Sequence, residues 1–420
     1  MSKNNCLWIT NGLHIGDTGI MRYEDDPADS QQVLTKVCCR SKQHHDVSEK
    51  IDDPELKRLV LTEFSPQQHL EKIKNPKFNY ENLKTTMCKT CYDAEKNTGN
   101  SMRIGYHNMF KHLPKTDKPR LLQIGFGNFC NFKCRYCTPR FSTTWNEDTP
   151  FMKQIREDNN HRPEKFGKHT YTEITNTEQQ TFDIEKEIVK QVESLDLSEL
   201  VYLGVFGGEP FLSRHWQALV EVLEQKADLS KVRLQINSNF SIFPKQPVID
   251  VLTKFGHIDL RASVEAYKDL AEYIRAGLKW SVFEKNFDKW QDIAKEFPNI
   301  KPAVHMANNV YNINKVLDFE QWLLEKQVDS FHVQFVYDPP FLDLRKVLSL
   351  EQIDICVERI QNLKLENLKS NLMKFVPGKN LYDKELVKQF KFFTESLDKV
   401  RKQKLSDVNP ELAEWISNEI

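Results

Sequence analysis

Three cysteines fall within eight residues, Cys130, Cys134 and Cys137 of CNFKCRYCTP, directly after the apolar run LLQIGF. Thiolates are soft ligands, and three on one loop suit an iron–sulfur cluster or zinc. On a cubane they would hold three corners and leave the fourth iron open to a small molecule, whereas structural zinc needs a fourth protein ligand to close its tetrahedron. The residues that follow, TPRFSTTW, offer no such ligand. On these cysteines alone an iron–sulfur cluster, a zinc loop and a chance grouping all stay open.

A second group lies upstream: Cys88 and Cys91 in MCKTC, the adjacent Cys38 and Cys39, and Cys6 in CLWI. A CxxC with two further thiolates completes a four-cysteine shell for zinc or iron–sulfur. The set Cys6, Cys39, Cys88 and Cys91, with Cys38 as the alternate for Cys39, is the candidate; the plainer alternative is reduced core thiols. Seven of the nine cysteines fall in such close groups, and no apolar export signal opens the chain, so metal ligation is expected over disulfides. Cys356, among apolar neighbours in a helical pattern, reads as core.

Such loops need rigid elements behind them. From residue 120 the apolar runs RLLQIGFGN, LVYLGVFGGE, VRLQINSNF, IDLRASVEA, IKPAVHMA and DSFHVQFVYD read as six buried strands. Between most of them lie helical patterns such as SRHWQALVEVLEQK and FEKNFDKWQDIAKEF. A β-then-α repeat implies a parallel sheet, and six units suit a partial α/β barrel. The expected class is therefore α/β, a partial (β/α)6 TIM-type barrel over 120–345. The polar stretch 139–180 interrupts the rhythm, as a flexible excursion or as a cap over the barrel mouth. Residues 346–420 read as a helical tail, and residues 1–119, without a clean period, as a module organised by metal rather than by a large core.

Polar residues gather where the strands end, which is where a barrel places its active site. Gly207-Gly208-Glu209-Pro210 closes the second strand; alone it could be a simple turn. Asn237, Ser238 and Asn239 close the third, and Ser263 and Glu265 the fourth, as turn or capping residues or as ligands of a ribose or carboxylate. Arg275, in EYIRAGLKW, is suited to bidentate capture of a carboxylate, or else lies on a solvated helix face. His305 and His332 sit in apolar runs, where satisfied core histidines are usual. Trp145, Tyr337 and Asp338 are pocket candidates.

These residues carry a resemblance. CxxxCxxC after a first barrel strand, with Tyr136 before the last cysteine, resembles the signature of the radical S-adenosylmethionine (SAM) superfamily. Gly207–Pro210 resembles its GGEP motif, and YIR-x-G-x-x-W followed by Asn286 resembles a subset of these enzymes. The resemblance implies a 4Fe-4S cluster on Cys130, Cys134 and Cys137 whose open iron is chelated by the methionine part of SAM. One-electron reduction then yields a 5′-deoxyadenosyl radical that abstracts hydrogen from a substrate. Tyr136, Gly207, Gly208, Glu209, Pro210, Asn237, Ser238, Asn239, Ser263, Glu265 and Arg275 are the implied SAM contacts. Ser-Val-Glu-Ala departs here from the subset's frequent Ser-x-Asp-Gly. The upstream cysteines, with Glu95, Gly99, Ser101 and Arg103, resemble the twitch module, an abridged SPASM-type domain that holds an auxiliary 4Fe-4S cluster. In better-known members that module follows the barrel; here it precedes it.

Charge is nearly balanced, 59 Lys+Arg against 60 Asp+Glu, so no overall attraction to polyanions is expected. No segment approaches membrane-spanning length, and a cytoplasmic protein is expected. The leading expectation is a radical SAM enzyme that modifies a peptide or protein and is fed by a flavodoxin- or ferredoxin-type electron donor. The alternatives are a radical SAM dehydrogenase of a sugar, aminoglycoside or nucleoside precursor, and a non-catalytic, zinc-organised nucleic-acid-binding protein using KHLPKTDKPR as a basic patch.

Overall fold

The computed structural model describes residues 12–17, 33–36, 50–61, 66–72, 74–98, 101–112, 116, 118–139, 141–151, 178–337, 339–375 and 381–419. Its chain forms two compact units: Met1–Gly127, Gln179–Ile236 and Pro244–Ile258 in one, Asn128–Glu178, Asn237–Phe243 and Asp259–Ile420 in the other.

The first unit carries β1 (Gly12–Asp17), β2 (Val33–Lys36), β3 (Leu121–Gly125), β4 (Tyr202–Phe206) and most of β5 (Arg233–Ser238), in the order β2-β1-β3-β4-β5. β1 and β2 are antiparallel, while β1/β3, β3/β4 and β4/β5 are parallel, with Leu121 opposite Tyr202 and Tyr202 opposite Arg233. Strands covered on both faces need continuous apolar runs, and the first four residues of β3 and of β4 are all buried. Residues 1–119, expected as a module organised by metal, also contribute an apolar cluster. Ile51, Leu56, Val60, Phe78, Leu83, Met87 and Phe110 close one apolar cluster with Leu121 and Tyr202. These residues come from short helices and turns between Pro and Asn breakers, so no single period displays them.

The second unit holds most of β6 (His257–Ser263), with β7 (Ile300–Asn308) and β8 (Phe331–Phe335). β7 and β8 are parallel, with His305 opposite His332. β8, expected as a buried strand, is half-buried with Gln334 exposed. The helix Trp280–Glu296 buries Trp280, Phe283, Phe287 and Trp290, the three- and four-residue spacing of one helical face. β3 to β8 alternate with helices, which is the α/β, partial (β/α)6 barrel type of fold.

Helices Leu350–Gln361, Lys384–Arg401 and Pro410–Asn418 follow. Ser349 and Gln352 form a capping box on the first, and Asp383 and Asn409 cap the other two. Lys402 ends the middle helix in the left-handed conformation, φ 54°. Cys356 is fully buried and burial pushes its thiol up to about 12, as befits a core cysteine. Among the described residues, no helix is long and apolar enough to cross a membrane.

Candidate functional site

The turn after β4 is built on glycine. Phe126 donates to Phe206 O (2.9 Å) and Gly208 to Gly127 O (2.9 Å), tying the ends of β3 and β4 together. Gly207 has φ +132°, and a Cβ there would lie 2.6 Å from Gly127 O, so only glycine fits. Glu209 is buried, and its Oε1 accepts from Phe211 N (3.2 Å) at the start of the short helical turn Pro210–Leu212.

The cysteine loop belongs to the second unit and is seated by backbone contacts. Lys133 N donates to Ala276 O (2.9 Å) and Arg135 N to Ile274 O (2.8 Å), so the residues on both sides of Cys134 are fixed. Gly277, φ +109°, allows this seating, since a Cβ there would lie 2.8 Å from Asn131 O. Thr144 and Ser142 hydroxyls donate to Cys130 O and Phe132 O, and Trp145 Nε1 donates to Cys134 O (3.0 Å). Trp145, expected as a pocket residue, is instead completely buried beneath the loop.

Cys134 is buried, and Cys130 and Cys137 are half-buried. Burial pushes the Cys134 and Cys137 thiols up, and the charges of Cys134 and Cys130 push Cys137 further. Asn239 Nδ2 lies 3.9 Å from Cys130 Sγ and Arg275 Nη1 lies 4.0 Å from Cys134 Sγ. Among the described residues, no three His, Cys, Asp or Glu side chains close around the position of a single ion. A cubane instead spreads its thiolates over separate corners. Buried thiolates need positive charge nearby, and here it is supplied: besides Arg275, Arg401 has its side chain 4% exposed, with Nη1 and Nη2 buried and without a protein partner among the described residues. The donor set and its surroundings therefore fit an anionic iron–sulfur cluster.

Beside the loop, Tyr136, Glu265 and Arg275 form one network. Arg275 Nε reaches both Glu265 oxygens (3.1 Å each) and Nη2 reaches Oε2 (2.7 Å), while Tyr136 OH donates to Oε2 (3.3 Å). Glu265 is 1% exposed and Arg275 5%. Burial raises the Glu265 carboxyl against the opposing pull of Arg275; burial also opposes the Arg275 charge, but the Glu265 carboxylate outweighs it. In this geometry the two groups read as carboxylate and ribose ligands bind each other, leaving Arg275 Nη1 toward Cys134.

The other expected contacts divide. Asn239 is bound to Asn131 (3.0 Å) and to Ser241, and Ser238 Oγ accepts from Phe240 N (3.1 Å), where φ is 55°. Asn286 Nδ2 donates to Phe240 O (2.8 Å), bracing the same turn. Asn237 Oδ1 is buried with no partner, and Ser263 is half-buried at the end of β6. Burial pushes His305 down to about 3, so it is neutral. Tyr337 is exposed beneath the Arg345 guanidinium (4.2 Å), and Asp338 lies outside the described residues.

In the first unit, Cys88 and Cys91 are half-buried in one turn, with Cys91 N donating to Cys88 O (3.0 Å). Glu95, one turn on, accepts from Ser101 Oγ (2.6 Å), from Arg103 Nε and Nη2 (2.8 and 2.6 Å) and from Tyr80 OH (3.2 Å). The E-x-x-x-G-x-S-x-R stretch is thus a clasp between the helices Lys89–Thr98 and Met102–Phe110. Cys6, Cys38, Cys39 and Gly99 lie outside the described residues. Sequence reasoning missed Arg135, Asp148, Asp398 and Arg401, which surround the cysteine loop, because no local pattern says what they touch.

Comparison with known proteins gives one family match: residues 124–313 match the family model of the radical SAM superfamily. No curated protein matches the chain. Among solved structures, native anSMEcpe with bound AdoMet is similar at 14% identity, covering 68% of this chain and 63% of that one, with a TM-score of 0.35. Streptococcus suis SuiB bound to S-adenosylmethionine is similar at 15% identity, over 76% of this chain and 58% of SuiB, with a TM-score of 0.36. SuiB bound to precursor peptide SuiA gives 14% identity, 87% and 63% coverage and a TM-score of 0.31. The chain thus spans roughly three fifths of the length of these proteins. With Cys130, Cys134, Cys137, the Gly207–Pro210 turn and the Glu265–Arg275 pair all inside the matched stretch, residues 124–313 are a radical SAM domain.

Proposed function

We propose that the chain binds SAM at a 4Fe-4S cluster held by Cys130, Cys134 and Cys137 and uses it to abstract hydrogen from a peptide or protein side chain. The observation that carries this reading is the three-thiol loop, seated by backbone hydrogen bonds on both sides of Cys134 and lying within the matched domain. When bound, the cluster supplies the electron that splits SAM into methionine and the 5′-deoxyadenosyl radical. The chain's own residues bind and orient. Gly207 and Gly208 give the close backbone approach, and Glu209, with Pro210 fixing its turn, accepts from the SAM ammonium. Asn237, Ser238, Asn239 and Ser263 face the nucleoside, Asn237 Oδ1 being a buried acceptor still free to take a donor. Tyr136, Glu265 and Arg275 hold the wall beside Cys134 and keep a positive charge near its sulfur.

Cys88 and Cys91, with Cys6 and Cys39 (Cys38 as alternate), are proposed to hold a second, auxiliary 4Fe-4S cluster that exchanges electrons with the substrate or with a flavodoxin- or ferredoxin-type donor. The peptide substrate class is proposed from the twitch-type motif resemblance. The test is anaerobic reconstitution, iron and sulfide counting, electron paramagnetic resonance and chromatographic assay of 5′-deoxyadenosine under a strong reductant. Cys130→Ala, Cys134→Ala and Cys137→Ala should each abolish cleavage; cleavage that survives them refutes the reading, as does a colourless, zinc-only protein. Cys88→Ala/Cys91→Ala should remove about half the iron and leave one cluster signal; unchanged iron removes the auxiliary cluster.

A further inference from the structure

We infer that the helix Lys384–Arg401 and the turn after it are part of the cluster site: Asp398, Arg401 and Gln403 are positioning residues that hold the cysteine loop from behind. This rests on the reading of the loop given above. Arg135, between the ligands Cys134 and Cys137, is completely buried. Its Nη2 donates to Asp398 Oδ1 (2.6 Å) and Gln403 Oε1 (3.0 Å), its Nε to Tyr273 O (3.0 Å), and its guanidinium stacks 3.5 Å from the Tyr273 ring. Asp398 is fixed in turn by Tyr273 OH (2.8 Å) and Leu405 N (2.8 Å). The left-handed Lys402 folds the chain back so that Gln403 N meets Asp398 O (2.9 Å) and the Gln403 side chain meets Arg135.

A second strut lies on the other side of Cys134. Asp148, 2% exposed, accepts from Lys133 Nζ (2.7 Å) on one oxygen and from Arg401 Nε (2.7 Å) on the other. Arg401 also covers Trp145 (4.8 Å), whose indole donates to Cys134 O (3.0 Å). Lys133 and Arg135, the two neighbours of Cys134, are thus each tied to the helix Lys384–Arg401 by an ion-pair network.

The orientation of Arg401 gives the struts a second role. Its Nη1 and Nη2 are buried and have no protein acceptor among the described residues. Buried donors without acceptors are rare, and two on one guanidinium mark a place where negative charge belongs. A cluster on three thiolates is net negative, so Arg401 both braces the loop and stabilises the reduced cluster electrostatically. Partners that orient ligands in this way are worth about 10- to 100-fold in metal affinity when removed.

The experiment uses the full chain, reconstituted anaerobically, as wild type, Asp398→Asn, Arg401→Gln, Arg401→Lys and Arg359→Gln. Arg359 pairs with Glu411 (2.6 Å) on the helix Pro410–Asn418 and serves as the control for general loosening of the tail. Iron loss to a chelator, the cluster's midpoint potential and apoprotein melting are measured. Asp398→Asn should lose iron about 10-fold faster than wild type. Arg401→Gln should make the potential more negative, because a cation is removed, and Arg401→Lys should restore it; Arg359→Gln should match wild type in both. Wild-type behaviour of both Asp398→Asn and Arg401→Gln overturns the inference alone, as does an Arg359→Gln effect of equal size. A wild type that takes up no iron overturns the functional reading and this inference with it.

Discussion

Glu265→Gln isolates the buried pair beside the cysteine loop. The substitution keeps the shape of the side chain but removes the charge that receives three contacts from Arg275 and one from Tyr136. Arg275 is left ionised at 5% exposure, with its Nη1 4.0 Å from Cys134 Sγ. Breaking a buried pair by removing one partner costs about 3–5 kcal/mol. Tyr136→Phe removes the 3.3 Å hydrogen bond to Glu265, and a loss of about 0.5–1.5 kcal/mol follows. The double variant Glu265→Leu/Arg275→Met removes both charges and should fall within about 1 kcal/mol of wild type or exceed it. Urea denaturation of the apoprotein under reducing conditions, without SAM, reads all three. The reasoning is refuted if Glu265→Gln lies within about 1 kcal/mol of wild type, or if the double variant is no better than the single.

Gly207→Ala should cost more than about 1 kcal/mol and strongly reduce SAM cleavage, because a methyl would meet Gly127 O at 2.6 Å at φ +132°; urea melts and the 5′-deoxyadenosine assay check both, and a wild-type result in either counts against the tight turn. His305, pushed down to about 3 by burial and by the charges of Arg261, Arg275 and His332, resists protonation in the fold, whereas the unfolded chain takes up the proton near pH 6.5. Its contribution is therefore complete above about pH 6.5 and is lost toward pH 3, at up to about 1.4 kcal/mol per pH unit. His305→Gln should flatten that part of the stability profile between pH 7 and 5; an unchanged slope would show that His305 is not held neutral.

The parts of the molecule that announce themselves in sequence are those made by neighbours in the chain. The cysteine loop, the Gly207–Pro210 turn and the strands β3 to β8 each rest on residues within a few positions of one another, so spacing and apolar runs display them. Glu265 and Arg275 were both visible as polar exceptions. That they bind each other was not, because the strand-to-helix turn between them decides where each side chain points. The core of residues 50–110 escaped for a related reason: Ile51, Phe78 and Phe110 come from separate short helices and turns and meet only on folding. Trp145 looked like a pocket residue since nothing local shows that Cys134 O and Arg401 lie on either side of it. Arg135 and Asp398 stand 263 positions apart, beyond any pattern of spacing.

That separation sets a clock on the ribosome. At about 5–20 residues per second, tens of seconds pass between the synthesis of Arg135 and that of its carboxylate partner. Throughout this interval the nascent chain displays three cysteines whose flanking cation has no counter-ion, on a loop with its rear support still unmade. Maturation is then ordered in time: the loop reaches its final form only after residue 398 has emerged, and chains broken off before that point carry the thiols without the structure that orders them.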